Sequence, residues 1–204
     1  MYKIIVLFSL AIFFSCCSLS SNAVPTTETY PAPFLGIQQK NNQTIIDIPV
    51  PHSYTFKFDG EWEVKQNILS VKKNLVAFTL LQKNEEIQLR AMNRIDLYHD
   101  TTFTIEKDAS EEDFIRYYLQ WDQDYWAQRD EIIQQGCVDG PTFNTSKNYG
   151  TIKTVNGNYQ RCVFAALDSG AIYMMTGTAI GIDKDICEVE ATIWENRKPF
   201  YKTF

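Results

Sequence analysis

The sequence predicts an α+β domain: an antiparallel sheet with one long helix packed across it and, as one of two readings of the tail, a short C-terminal helix that would make an α/β/α sandwich. Three observations carry this. Apolar residues alternate with polar ones in several runs, the mark of strands with one buried face. One segment, residues 111–135, instead repeats its apolar residues at helical spacing. Asp-Gly, Asn-Gly and Ser-Gly dipeptides punctuate the strands where tight turns are needed. The 204 residues, 45% hydrophobic and 14% aromatic, suit a single packed core.

Residues 1–23 read as a signal peptide: Lys3, then the eleven-residue apolar run Ile4 to Phe14, then a small and polar stretch ending in Ser-Asn-Ala. The run is too short to span a bilayer. Two processing routes are open. Cleavage after Ala23 gives a soluble product. Alternatively Phe13-Phe14-Ser15-Cys16 resembles a bacterial lipobox, with Cys16 the lipidation candidate. Lipidation is preferred, because Cys16 sits where the apolar run ends and a Ser/Thr/Pro-rich tether follows. Residues 24–46 are polar and Pro-containing and read as a flexible linker, leaving 47–204 as one globular domain.

The first strands are Tyr54, Phe56 and Phe58, then Trp62 and Val64, with Asp59-Gly60 as the hairpin turn between them. Val76 to Leu81 forms a short strand. After Lys83-Asn84 comes the longest alternation: Ile87, Leu89, Ala91, Ile95 and Leu97 on one face, with Arg90 and Arg94 on a solvated one. Ser110 caps the long helix, and Glu111, Glu112 and Asp113 complement its dipole. Phe114, Tyr118, Trp121, Tyr125 and Ile132 form one stripe; Ile115, Leu119, Trp126 and Ile133 widen it. Gly136 stops it. A helix from Glu111 to Gln135 would be about 37 Å long. Asn156-Gly157 and Asp168-Ser169-Gly170 then separate strands ending near Ile182, where Gly177 and Gly181 suggest a bulge or close packing. From Ile186 to Trp194 the pattern fits a strand or a helix, and Asp185 with Glu188 resembles a capping box.

Cys137, Cys162 and Cys187 follow the leader cysteines. Export makes a disulfide expected, and Cys137 with Cys187, each at an element boundary, is the chosen pair, leaving Cys162 as a buried strand thiol. The cysteine spacing and the two histidines, His52 and His99, do not suit a zinc site. No GxSxG, HExxH, GxGxxG or Walker loop occurs, so no catalytic residue, metal or cofactor is expected. Asp122, Asp124, Asp130 and Glu131 read as a solvated helix face, and His99 beside Asp100 as a loop histidine. Trp121 and Tyr125 read as core; Trp126, on the second stripe, is the candidate for a binding surface. A net charge of −6 without basic runs argues against nucleic acid, and no second apolar run is long enough for a membrane span. The sequons at Asn42 and Asn144 matter only in a eukaryotic source.

Three segments, YTFKFDGEWEVKQ, SEEDFIRYYLQWDQDYWAQRDEII and YGTIKTVNGNYQRCVFAAL, follow one another in an order that resembles the PsbP-like α/β/α sandwich, a family that includes the DcrB-like bacterial lipoproteins. The resemblance covers roughly residues 50–196. It implies a closing helix, which tilts the 186–194 segment toward the helical of its two readings, and an accessory or binding role with no catalytic residues to transfer. The expectation is a non-enzymatic exported envelope protein, lipid-anchored, that binds another envelope protein. The alternatives are a secreted or periplasmic inhibitor or immunity protein, and a small hydrolase with an unfamiliar site.

Overall fold

Strand β9 (Tyr159–Asp168) sets the layers of the molecule. Its side chains alternate between two cores: Cys162, Phe164 and Ala166 face one side, Val163, Ala165 and Leu167 the other, and all are buried. A strand apolar on both faces must be covered on both. The computed structural model describes residues 36–49, 51–70, 75–98, 100–181 and 184–199. The leader, Cys16, the linker up to residue 35 and His99 lie outside the described residues.

The main sheet has seven antiparallel strands in the order β4 (Glu63–Ser70), β5 (Leu75–Gln82), β6 (Glu85–Asn93), β10 (Ala171–Ile180), β9, β8 (Tyr149–Asn156) and β7 (Cys137–Asn144). Helix α2 (Glu111–Ala127) lies over the β8–β9 face. Phe114, Ile115, Tyr118 and Leu119 meet Ile152, Val163, Ala165 and Met174 there. The opposite face carries α4 (Ile186–Glu195) beside a second sheet, β1 (Gly36–Lys40), β2 (Gln43–Ile48), β3 (Tyr54–Asp59) and β11 (Lys198–Pro199). Ile46, Ile48, Phe56 and Phe58 from that sheet pack on Phe78, Leu80, Ile87 and Leu89. The expected α+β class therefore holds: an antiparallel sheet, a long helix across it and a short terminal helix. The four-stranded sheet is an addition on the α4 side.

Several expectations are corrected. Residues 36–46 are not linker: Asn41 and Asn42, at φ 53° and 56°, make a tight turn between β1 and β2, and Thr44 and Ile46 are fully buried. Asp59-Gly60 does not close a hairpin, because β3 and β4 belong to different sheets. Gly60, at φ 93°, turns the chain from one layer to the next. The Thr44 hydroxyl fixes this crossing, accepting from the Trp62 N–H at 2.8 Å and donating to the Gly60 carbonyl at 3.0 Å.

The long alternation stops at Asn93, and the short helix α1 (Arg94–Leu97) follows. Ile95 is exposed, and Arg94 is drawn over the Phe114 ring, 4.3 Å from its centre, rather than into solvent. Ser110 caps α2 as expected, accepting from Asp113 N–H. The helix nevertheless ends at Ala127, about 25 Å along, because Asp130 offers a second cap. Its side chain accepts from the Ile132 and Ile133 amides and starts α3 (Glu131–Gln134). The edge strand β7 carries no strand signal in the sequence: it is largely exposed and bulged between Asp139 and Thr142, so it shows no alternation.

Candidate functional site

Helix α4 forms one wall of a cleft, and its own sequence explains how it is held. The Asp185 carboxylate accepts from the Cys187 N–H at 2.9 Å, capping the helix, and pairs with Lys153 Nζ at 2.7 Å. One face, Ile186, Glu190, Ile193 and Trp194, is buried. Cys187 in the first turn is bonded to Cys162 below it on β9, with Cα atoms 5.3 Å apart. The expected pairing of Cys137 with Cys187 is thus corrected. Cys162 is buried because its face of β9 lies beneath α4, while Cys137 opens the outermost strand β7 and remains an exposed free thiol. Gly177, opposite Cys162 on β10, is where the helix comes closest: a Cβ there would lie 2.6 Å from Ile186 Cγ1 and 2.9 Å from Glu190 Oε1.

Glu190 is fully buried, and neither carboxylate oxygen has a hydrogen-bond partner among the described residues. Burial pushes its carboxyl well above the ordinary value of 4.5, and the positive charge of Arg161 opposes this only in part. Arg161 points to the other face of the sheet, where it is bound to Asp122. Across the window from about pH 4.5 upward the unfolded chain binds fewer protons than the folded one, so stability falls as pH rises. That downward slope continues until the buried group ionises. Glu190→Gln is expected to flatten that slope, leaving the variant more stable than the parent at pH 8 and little different at pH 4. Parallel pH–stability curves in urea titrations would refute the assignment.

The outer side of α4 and the end of the four-stranded sheet enclose a cleft of about 700 Å³. Of the apolar residues that line it, Val189 is half-buried, whereas Phe58, Trp62 and Ile193 are buried behind its wall. Lys57, Lys184 and Lys198 line it together with Asp59, Glu85, Asp185 and Glu188. The Trp62 indole is fixed by donating to the Asp59 carbonyl at 2.9 Å. Such a surface suits a ligand carrying charges of both signs, as a polypeptide segment does. Nothing in the sequence marked it, since its residues come from four separated stretches of chain.

The expected site residues are distributed elsewhere. Trp126 is half-buried and packs edge-on against Tyr125, ring centres 5.3 Å apart. A smaller groove beside it is walled by Tyr117, Trp121 and Tyr125, so the two residues read as core are only half-buried. The four helix carboxylates do not converge. Asp124 is exposed and accepts from Gln120, and Asp130 caps α3. Asp122 is not on a solvated face: it is buried against Arg161 at 2.5 Å. His52 sits near the Ser169 carbonyl at 3.2 Å. Among the described residues no group of three or more His, Cys, Asp or Glu is placed to hold a metal, and no helix is long and apolar enough to cross a membrane.

No family model matches the chain, and no curated protein matches it. Among solved structures it is similar to the solution structure of cyanobacterial PsbP (CyanoP) from Synechocystis sp. PCC 6803. The two share 10% identity over 92% of this chain and 99% of that one, with a TM-score of 0.41. A likeness this loose carries no argument about function. The fold rests instead on the strand order and layers described above.

Proposed function

We propose that the chain is a non-enzymatic, exported envelope protein, lipid-anchored through Cys16 in the manner of the DcrB-like lipoproteins, whose domain binds a segment of another envelope protein in the α4 cleft. The carrying observation is the cleft itself, walled by α4 and lined by lysines together with aspartates and glutamates. A lining of both signs favours a partner carrying both signs over a purely acidic or basic one. The disulfide beneath the wall fits an oxidising compartment.

Two measurements test this. Intact mass of the mature protein from its native host is expected to show a start at Cys16 with added acyl mass. A start at Val24 without acyl mass would sink the anchor and bring the secreted-inhibitor reading forward. A photo-crosslinking residue at Thr192, exposed on the cleft side of α4, is expected to trap one discrete envelope protein in intact cells. The same probe at Asp139 on exposed β7 is expected to trap none; equal capture at both positions would reject the cleft as the docking site.

A further inference from the structure

On the far side of the molecule from that cleft, Tyr117, Trp121 and Tyr125 repeat every four residues along α2, one strip aside from the stripe that meets the sheet. They are half-buried rather than covered and, with Thr102, they wall a groove of about 360 Å³. That volume lies within the range of small-molecule sites, about 300–1,000 Å³.

The loop over residues 100–104 holds the polar edges of two of these rings. Trp121 Nε1 donates to Thr102 Oγ1 at 3.1 Å, and Thr102 Oγ1 in turn donates to Asp100 at 2.7 Å. The Tyr117 hydroxyl accepts from the Thr104 amide at 3.1 Å. Buried Phe103 meets Trp121 edge to face, ring centres 5.4 Å apart. With their edges engaged, the rings line the groove with carbon surface, and their positions are set before any ligand arrives. Binding there costs little ordering of side chains.

The rim narrows the ligand chemistry. Gln120, Asp124, Gln128 and Arg129 are all exposed at its margin. They supply amide donors and acceptors, one carboxylate and one guanidinium, for no net charge. Arg129 lies 3.7 Å from the centre of the Tyr125 ring, so a quaternary ammonium would meet a resident cation on that aromatic surface. An anion would meet Asp124. A purely apolar chain would strip water from the rim groups without replacing their hydrogen bonds. A ligand with a flat C–H face and a periphery of hydroxyls satisfies both the rings and the rim. We infer that the α2 groove is a binding site for a neutral carbohydrate, stacked on Trp121 and on the face of Tyr125 that Arg129 leaves open, and hydrogen-bonded by Gln120, Asp124, Gln128 and Arg129.

The test uses the mature, disulfide-intact chain with fluorine-labelled tryptophan, so that each indole reports separately by NMR. The probes are the hexamers of α-1,4-glucose, β-1,4-glucose and β-1,4-N-acetylglucosamine, with tetramethylammonium as the cationic control. At least one hexamer is expected to shift the Trp121 signal saturably at millimolar concentration or below. Tyr125→Ala is expected to weaken that binding about tenfold or more, the loss of roughly one stacking contact. Asp124→Asn, which leaves the aromatic strip untouched, is expected to weaken it by a smaller factor. The proposal is overturned by absence of a Trp121 shift with all three hexamers, by binding undiminished in Tyr125→Ala, or by a Trp121 shift with tetramethylammonium alone.

Discussion

Asp122→Ala is expected to destabilise the domain by about 3–5 kcal/mol, the usual effect of stranding one member of a buried ion pair. Arg161 reaches through the α2–sheet interface with its side chain only 3% exposed, and its two terminal nitrogens donate to Asp122 at 2.5 Å and Gln123 at 3.1 Å. Gln123 Oε1 also accepts from Thr154 Oγ1 at 3.1 Å, so one guanidinium organises three residues on two elements. Removing the carboxylate leaves a desolvated charge with only neutral partners. Set against a typical total of about 5–15 kcal/mol, the loss would bring the midpoint of urea unfolding down sharply. The double variant Asp122→Leu with Arg161→Met is expected to recover most of it, because an apolar pair removes both desolvation costs. A single-mutant loss below about 1 kcal/mol would mean that the pair behaves as a solvated surface bridge.

Replacing both Cys162 and Cys187 by Ala is expected to cost about 3 kcal/mol, in line with chain-entropy estimates for a loop closed over a separation of 25 residues. The damage should be local before it is global. Helix α4 hangs on this bond, on its Asp185 cap and on the burial of Ile186, Ile193 and Trp194. Its other buried group, Glu190, opposes docking once ionised. In hydrogen exchange, amides of residues 186–195 are expected to lose protection first, while β9 and β10 retain theirs. Uniform loss across the sheet would contradict that order. Cys137→Ser, on the exposed edge strand, is expected to leave the midpoint unchanged.

The parts of the fold legible in the sequence are those where one local signal suffices. Ser110 and Asp185 cap helices wherever a helix follows, and Ile87, Leu89 and Ala91 alternate because one face is buried. What stayed hidden depends on partners distant along the chain. Asp122 looks like its neighbour Asp124 until Arg161, 39 residues on, is seen to face it. Asp59-Gly60 reads the same whether it closes a hairpin or passes between sheets, and here Thr44 decides. The helical wheel placed Trp121 and Tyr125 in the core and Trp126 nearer solvent. It did not show that the 100–104 loop would come alongside and turn the first two into the walls of a groove. Strands β1 and β2 are short and flanked by Gln, Asn and Lys, so composition alone concealed them.

The pairing of β6 with β10, Asn93 against Ala171 through Glu85 against Ala179, has a kinetic consequence. It joins two locally connected meanders, β4–β6 and β7–β10, so the centre of the sheet is its contact of highest sequence separation. During vectorial synthesis the first meander is complete long before β10 exists, and its β6 edge stays open until residue 179 emerges. Folding of this topology is limited by that late closure rather than by helix or hairpin formation. Until closure the unpaired edge is the segment most exposed to self-association.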